Sequence, residues 1–207
     1  MADETLASIL NEIAPENNLG VLLAAQMGGT PQEVQIILQT TEYHEEKDAL
    51  RPTGQYIVRA IGVREHRLSV GLFGAMVLAD ANPLLFPHNE KILQVYFTGQ
   101  PESIDALLID INQLYAQTYG RYDPFRRMAD ELNPTMPLAT LLSKERGFLG
   151  EMPEPFAITI GNVFERHGMK TNFIESDDHR PPEPFRLLVM DDSYLVAQMF
   201  SAEPMGN

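Results

Sequence analysis

The sequence predicts an α+β fold: an antiparallel β-meander with an amphipathic helix packed on it, then short helices and a second group of antiparallel strands. Three observations carry this. Residues 104–115 form one unbroken helical stripe, apolar runs rich in β-branched residues precede it, and a hairpin pattern around Asp191-Asp192-Ser193 closes the chain. The 207 residues, 44% hydrophobic, are enough to bury about 70% of the surface the unfolded chain exposes. The expectation is a single compact domain over residues 1–207, with a seam near 150 as the alternative organisation.

Taken in order, Leu6, Ile9, Leu10 and Ile13 sit at helical spacing behind Asp3 and Glu4, whose charges suit the positive end of a helix, and Pro15 stops the run. Leu19 to Leu23 is a buried piece of either type. The segment 34–43 has two readings. Thr30-Pro31-Gln32-Glu33 resembles a capping box with proline at the first helical position. Against it, Val34, Ile36, Leu38 and Thr40 alternate with polar residues, so a strand is expected. Tyr56 to Arg64 and Leu68 to Leu78 are apolar at nearly every position, the pattern of strands covered on both faces. Glycines 62, 71 and 74 predict bulges or sharp coiling of the sheet within them. Ile92 to Thr98, with Leu93, Val95 and Phe97 on one face, completes the meander.

Ile104, Leu107, Leu108, Ile111, Leu114 and Tyr115 define the clearest helix, opened by Pro101 and closed by Gly120. Asp123-Pro124 caps a short helix through Phe125, Met128 and Leu132, and Pro137 starts another that stops at Gly147. From Pro153 the pattern returns to strands: Phe156, Ile158 and Ile160, then Met169 to Ile174, then the hairpin from Phe185 to Phe200. The order read is helix, four strands, three helices, four strands. Parallel βαβ units remain compatible with it.

Charge and composition narrow the function. Fifteen basic and 29 acidic side chains give a net charge of −14, which repels phosphate backbones and anionic headgroups, so neither nucleic acid nor a membrane is an expected partner. The absence of cysteine removes thiolate nucleophiles, redox pairs and cysteine-ligated metals, and fits a reducing compartment, hence the cytoplasm. No apolar run approaches the ~18 residues of a membrane span.

Motifs that would name a reaction are missing. Ser69 lacks the glycine of a nucleophile elbow, and Gly71-Leu72-Phe73-Gly74 lacks the Gly-Lys-Ser/Thr ending of a phosphate loop. His44 to Asp48 reads as a charged loop, His88-Asn89-Glu90 as a solvated turn, and Arg64 to Arg67 as a charged hairpin tip. Two clusters remain. His167, Asp177, Asp178 and His179 are ligand types for a divalent cation, without the spacing of an established site. Tyr119, Arg121, Tyr122, Phe125, Arg126 and Arg127 place three basic residues beside three aromatics at a helix junction, the residue types that dominate binding hot spots and, beside a helix N-terminus, suit an anionic group.

The expectation is therefore a non-catalytic protein-binding or regulatory protein without cofactors, holding a protein partner through a sheet surface and the Tyr119 to Arg127 junction, and itself a homodimer. The alternatives are a metal-dependent hydrolase using the His and carboxylate cluster, or a carrier of small apolar ligands between the meander and the 104–115 helix.

Overall fold

The computed structural model describes residues 2–15, 18–133, 135–176 and 183–206. Among these are six helices and twelve strands, and every strand pairing is antiparallel. In chain order they are α1 (Ala2–Ile13), β1 (Asn18–Met27), β2 (Glu33–His44), β3 (Ala49–Ile61), β4 (Glu65–Arg67), β5 (Gly71–Phe73), β6 (Met76–Ala79), α2 (Phe86–Asn89), β7 (Ile92–Thr98) and α3 (Ile104–Tyr119). They continue with α4 (Pro124–Glu131), α5 (Leu138–Leu142), β8 (Arg146–Pro153), α6 (Glu154–Arg166), β9 (Lys170–Glu175), β10 (Arg186–Met190), β11 (Ser193–Ala197) and β12 (Met199–Pro204). The chain forms two compact units: Met1–Asn82 together with Glu183–Asn207, and Pro83–Pro182.

The first unit holds a five-stranded sheet, ordered β12-β3-β2-β1-β5, and a four-stranded sheet, ordered β4-β11-β10-β6. The meander β1-β2-β3 follows from the alternation read at 34–43: Val34, Ile36 and Leu38 face inward against Val58, Ala60, Phe200 and the α1 stripe Leu6, Ile9 and Ile13. Glu12 joins α1 to this sheet. Its carboxylate accepts hydrogen bonds from the buried Thr40 hydroxyl at 2.8 Å and from Tyr56 at 2.7 Å. Thr53 in turn donates to Thr40 at 2.8 Å. Burial first, and then the adjacent Glu12 carboxylate, push the Tyr56 hydroxyl up to about 12. Gly20 lies opposite Phe73 across the β1–β5 pair, where a Cβ would come 2.1 Å from the ring, so the bare backbone lets the ring cover it.

The second unit is a three-stranded sheet, ordered β8-β7-β9, packed with α3 and α6. Leu93, Val95 and Phe97 of β7 are buried, with Phe97 5.8 Å from Phe164 of α6 between ring centres. Residue 150 lies inside β8 in this unit. Leu132, just after α4, bridges Gly150, and Asn133 donates its backbone N–H to Leu149 at 2.7 Å. A Cβ on Gly150 would meet the Glu131 carbonyl oxygen at 1.9 Å.

Several local expectations change. Residues 154–166 are helical, not extended: the alternation of Phe156, Ile158 and Ile160 lies within a longer stripe of Phe156, Ala157, Ile160, Val163 and Phe164. Pro155 sits at the start of that helix and Ile158 is exposed. The helix from Pro137 ends at Leu142, and Gly147 belongs to β8, where a Cβ would press on Leu141 and Phe97 at 2.9 Å. Leu68 to Leu78 is broken into β5 and β6, and β3 is buried on one face only, through Val58 and Ala60. The register shifts fall between Leu22 and Ala24, Thr40 and Thr41, and Val95 and Tyr96, not at glycines 62, 71 or 74. Glu65 to Arg67 is strand β4 on β11 instead of a hairpin tip, and β7 pairs with β8 and β9 instead of extending the meander.

Replacing Gly150 with alanine forces the Glu131 backbone away from β8. The expected outcome is a loss of about 2–4 kcal/mol in unfolding free energy, the range of severe packing defects. Urea titration followed by circular dichroism checks it, and a midpoint equal to wild type would contradict the close approach.

Candidate functional site

The junction after α3 is built by backbone chemistry. Gly120 adopts a φ of 55°, a left-handed region that glycine enters without steric cost, and its N–H donates to Ala116. Asp123, also left-handed at φ 59°, accepts a hydrogen bond on its side chain from the Arg126 N–H at 3.3 Å, and Pro124 follows in the first turn of α4. The short link turns α4 back beside α3.

The six junction residues divide into interior and exterior sets. Tyr119 is 1% exposed, its ring 5.7 Å from Phe156 and 6.0 Å from Tyr115. Phe125 is 70% exposed. The Arg127 guanidinium lies over the Tyr119 ring at 5.7 Å, and Arg121 lies over Tyr122 at 5.6 Å. Arg126 is exposed and pairs with Asp130 at 3.7 Å, an interaction worth little in water.

Between α3 and α4 runs a groove of about 290 Å³, walled by Tyr115, Ala116, Pro124, Phe125 and Met128, with Asn112 and Gln113 at one end. Beside Tyr115, which lines the groove, lies a buried polar cluster. Glu131, 7% exposed, accepts a hydrogen bond from the Tyr119 hydroxyl at 2.9 Å. The buried Tyr115 hydroxyl faces the same carboxyl group, but neither it nor Glu131 Oε2 completes a well-shaped hydrogen bond among the described residues. Burial pushes the Glu131 carboxyl up to about 6, opposed by its tyrosine neighbours and by Arg127. Tyr115 is raised well above its ordinary value, first by burial and then by the nearby Glu131 charge. The sequence reading missed Glu131. The available signal was its position: it falls three residues after Met128 and next to Leu132, inside the apolar stripe of α4.

Of the metal-type cluster, Asp177, Asp178 and His179 lie outside the described residues. His167, at the end of α6, has Nε2 3.0 Å from Asp110 Oδ2 of α3, and Arg166 approaches the same carboxylate at 3.8 Å. No three residues among those described gather as metal ligands. His44 and His66 belong to the first unit, and His88 and His167 to the second. Beside the Asp110–His167 pair is a polar cleft of about 230 Å³ bordered by Gln113, Gln117, Thr159, Asn162 and Arg166. Comparison with protein-family models, curated proteins and solved structures finds no match.

Because the folded chain holds the Glu131 proton more tightly than an unfolded chain, with its ordinary value of 4.5, this group's contribution to stability is greatest below pH 4.5. It declines between 4.5 and 6, then levels off. The shift corresponds to about 2 kcal/mol across that window. Glu131→Gln is expected to remove this slope and to raise stability at pH 7.5. Thermal melts of both proteins from pH 4.5 to 7.5 check it, and parallel curves would contradict the assignment.

Proposed function

We propose that this chain is a non-catalytic binding protein of the cytoplasm that holds a protein partner on the α3–α4 surface and works as a homodimer. The observation that carries the reading is Phe125, 70% exposed at the rim of an apolar groove. An aromatic ring left in water beside an open apolar slot is the arrangement of a binding anchor, because covering a Phe side chain is worth about 1.5–3 kcal/mol. Met128 in the groove wall adapts its shape at small cost.

Size selects the kind of ligand. Pockets that enclose small molecules run from about 300 to 1,000 Å³. At about 290 Å³ and open along one side, the groove suits the anchoring side chains of a peptide segment better than a whole apolar metabolite. The meander and α3, between which an apolar ligand was expected to sit, belong to different units. Arg121 and Arg126, exposed on the same junction, favour acidic residues flanking the apolar anchor. The net charge of −14 argues against nucleic acid as the partner, and no described helix is long and apolar enough to cross a membrane. For the hydrolase reading, His167 faces Asp110 of α3 at 3.0 Å.

A photo-reactive phenylalanine analogue at position 125 should cross-link to one protein in cells, identified by mass spectrometry. Phe125→Ala and Arg126→Ala should each weaken retention of that protein by roughly tenfold or more. Arg127 is left in place, because it packs over Tyr119. Retention unchanged in both variants would refute the surface.

A further inference from the structure

We infer that two copies of this chain join edge to edge through the second half of β1, residues Leu23 to Met27, as antiparallel strands about a two-fold axis at Ala25. The inference deepens the dimeric reading above and names a surface separate from the α3–α4 groove.

Strand β1 is ten residues long and pairs with β2 along nearly all of it. On its other side β5 covers only Gly20, Val21 and Leu22. Beyond Leu22 the strand has no neighbour on that side among the described residues, so its backbone donors and acceptors there form an open template. The flanks are apolar and wet: Met27 is 60% exposed, Val70 68% and Leu72 62%, with Leu72 opposite Val21.

Other free edges in the protein are protected. Edge β12 ends in Glu203-Pro204, β4 carries Glu65 and Arg67, and β9 carries Lys170 and Glu175. Edges β5 and β6 are three and four residues long, and β8 is covered by Leu132. Short strands, charges and proline are the ordinary defences of a sheet edge. The ten residues of β1 contain no charge and no proline, and their one irregularity, the register shift between Leu22 and Ala24, leaves Ala24 to Met27 as a regular, undefended stretch.

That neutrality selects the occupant. A net charge of −14 makes copies of this chain repel one another on average, and a charge-free strand edge is where that repulsion costs least. A strongly charged partner strand would find no counter-charge on β1. The register is self-complementary: with Ala25 at the axis, Ala24 faces Gln26 of the second copy and Leu23 faces its Met27. A two-fold axis normal to a sheet requires residues on one face to meet, and this pairing satisfies it.

The cysteine-free chain offers a direct test. At the axis the two Ala25 Cα atoms would stand about 4.5–5.5 Å apart, within the roughly 4.4–6.8 Å span of a disulfide. Two Gln26 Cα atoms would be roughly 8 Å apart, beyond it. Ala25→Cys should form a disulfide-linked dimer under oxidised glutathione, and Gln26→Cys should not. In sedimentation, wild type should show a concentration-dependent dimer that Ala25→Lys, folded by circular dichroism, converts to monomer while still binding through Phe125. A dimer that survives Ala25→Lys and yields no Ala25→Cys cross-link would overturn the edge alone. Wild type that stays monomeric at every concentration would overturn the dimer as well, including the case in which β1 receives a strand from another protein.

Discussion

A missing side chain governs the second unit. Because Gly150 has no Cβ, the chain leaving α4 runs against β8 at a separation no other residue permits, and Leu132 and Asn133 pair with the strand there. That contact fixes where α4 ends. Glu131 is thereby held inside, under Tyr119, while Phe125, six residues earlier on the same short helix, is held outside. One backbone approach thus sets both the burial of Glu131 and the exposure of Phe125 at the groove. Burying Glu131 is costly to maintain: a carboxyl group shut away from water is a feature that packing alone would replace with leucine.

The first unit depends on a comparable polar link in a different setting. Glu12 is half-buried and fully engaged, with both oxygens accepting from hydroxyls on β2 and β3. It sets the position of α1 on the sheet, whereas the apolar stripe of Leu6, Ile9 and Ile13 supplies most of the burial. Apolar contact is tolerant of sliding, and directional hydrogen bonds are not, so the pair of interactions divides adhesion from registration.

Legibility in the sequence tracked the strength of the local period. The 34–43 strand and the α3 helix were readable because burial there follows one repeat, and the hairpin was readable from its Asp191-Asp192-Ser193 turn, though it ends at Ala197 and Phe200 belongs to β12. The 154–166 helix was misread because Phe156, Ile158 and Ile160 satisfy both repeats over five residues, and only Val163 and Phe164, further on, decide between them. Long-range partnership was invisible: nothing in Ile92 to Thr98 says that it pairs with β8 and β9. At the junction, residue types pointed to the region but not to its two sides. Tyr119 and Phe125 look alike in sequence, and only the left-handed turns at Gly120 and Asp123 put them on opposite sides of the surface.

The second unit is inserted in the first: the chain leaves at Asn82 and returns at Glu183. On a ribosome, the strands β10, β11 and β12 emerge after the whole second unit, yet they contribute the centre of one sheet and the border of the other. The early strands must therefore wait, with apolar faces uncovered, through the synthesis of about a hundred intervening residues. Such delayed closure makes the assembly slow and leaves nascent chains vulnerable to mutual sticking, so this architecture places its greatest demand on chaperones at birth rather than on stability in the finished molecule.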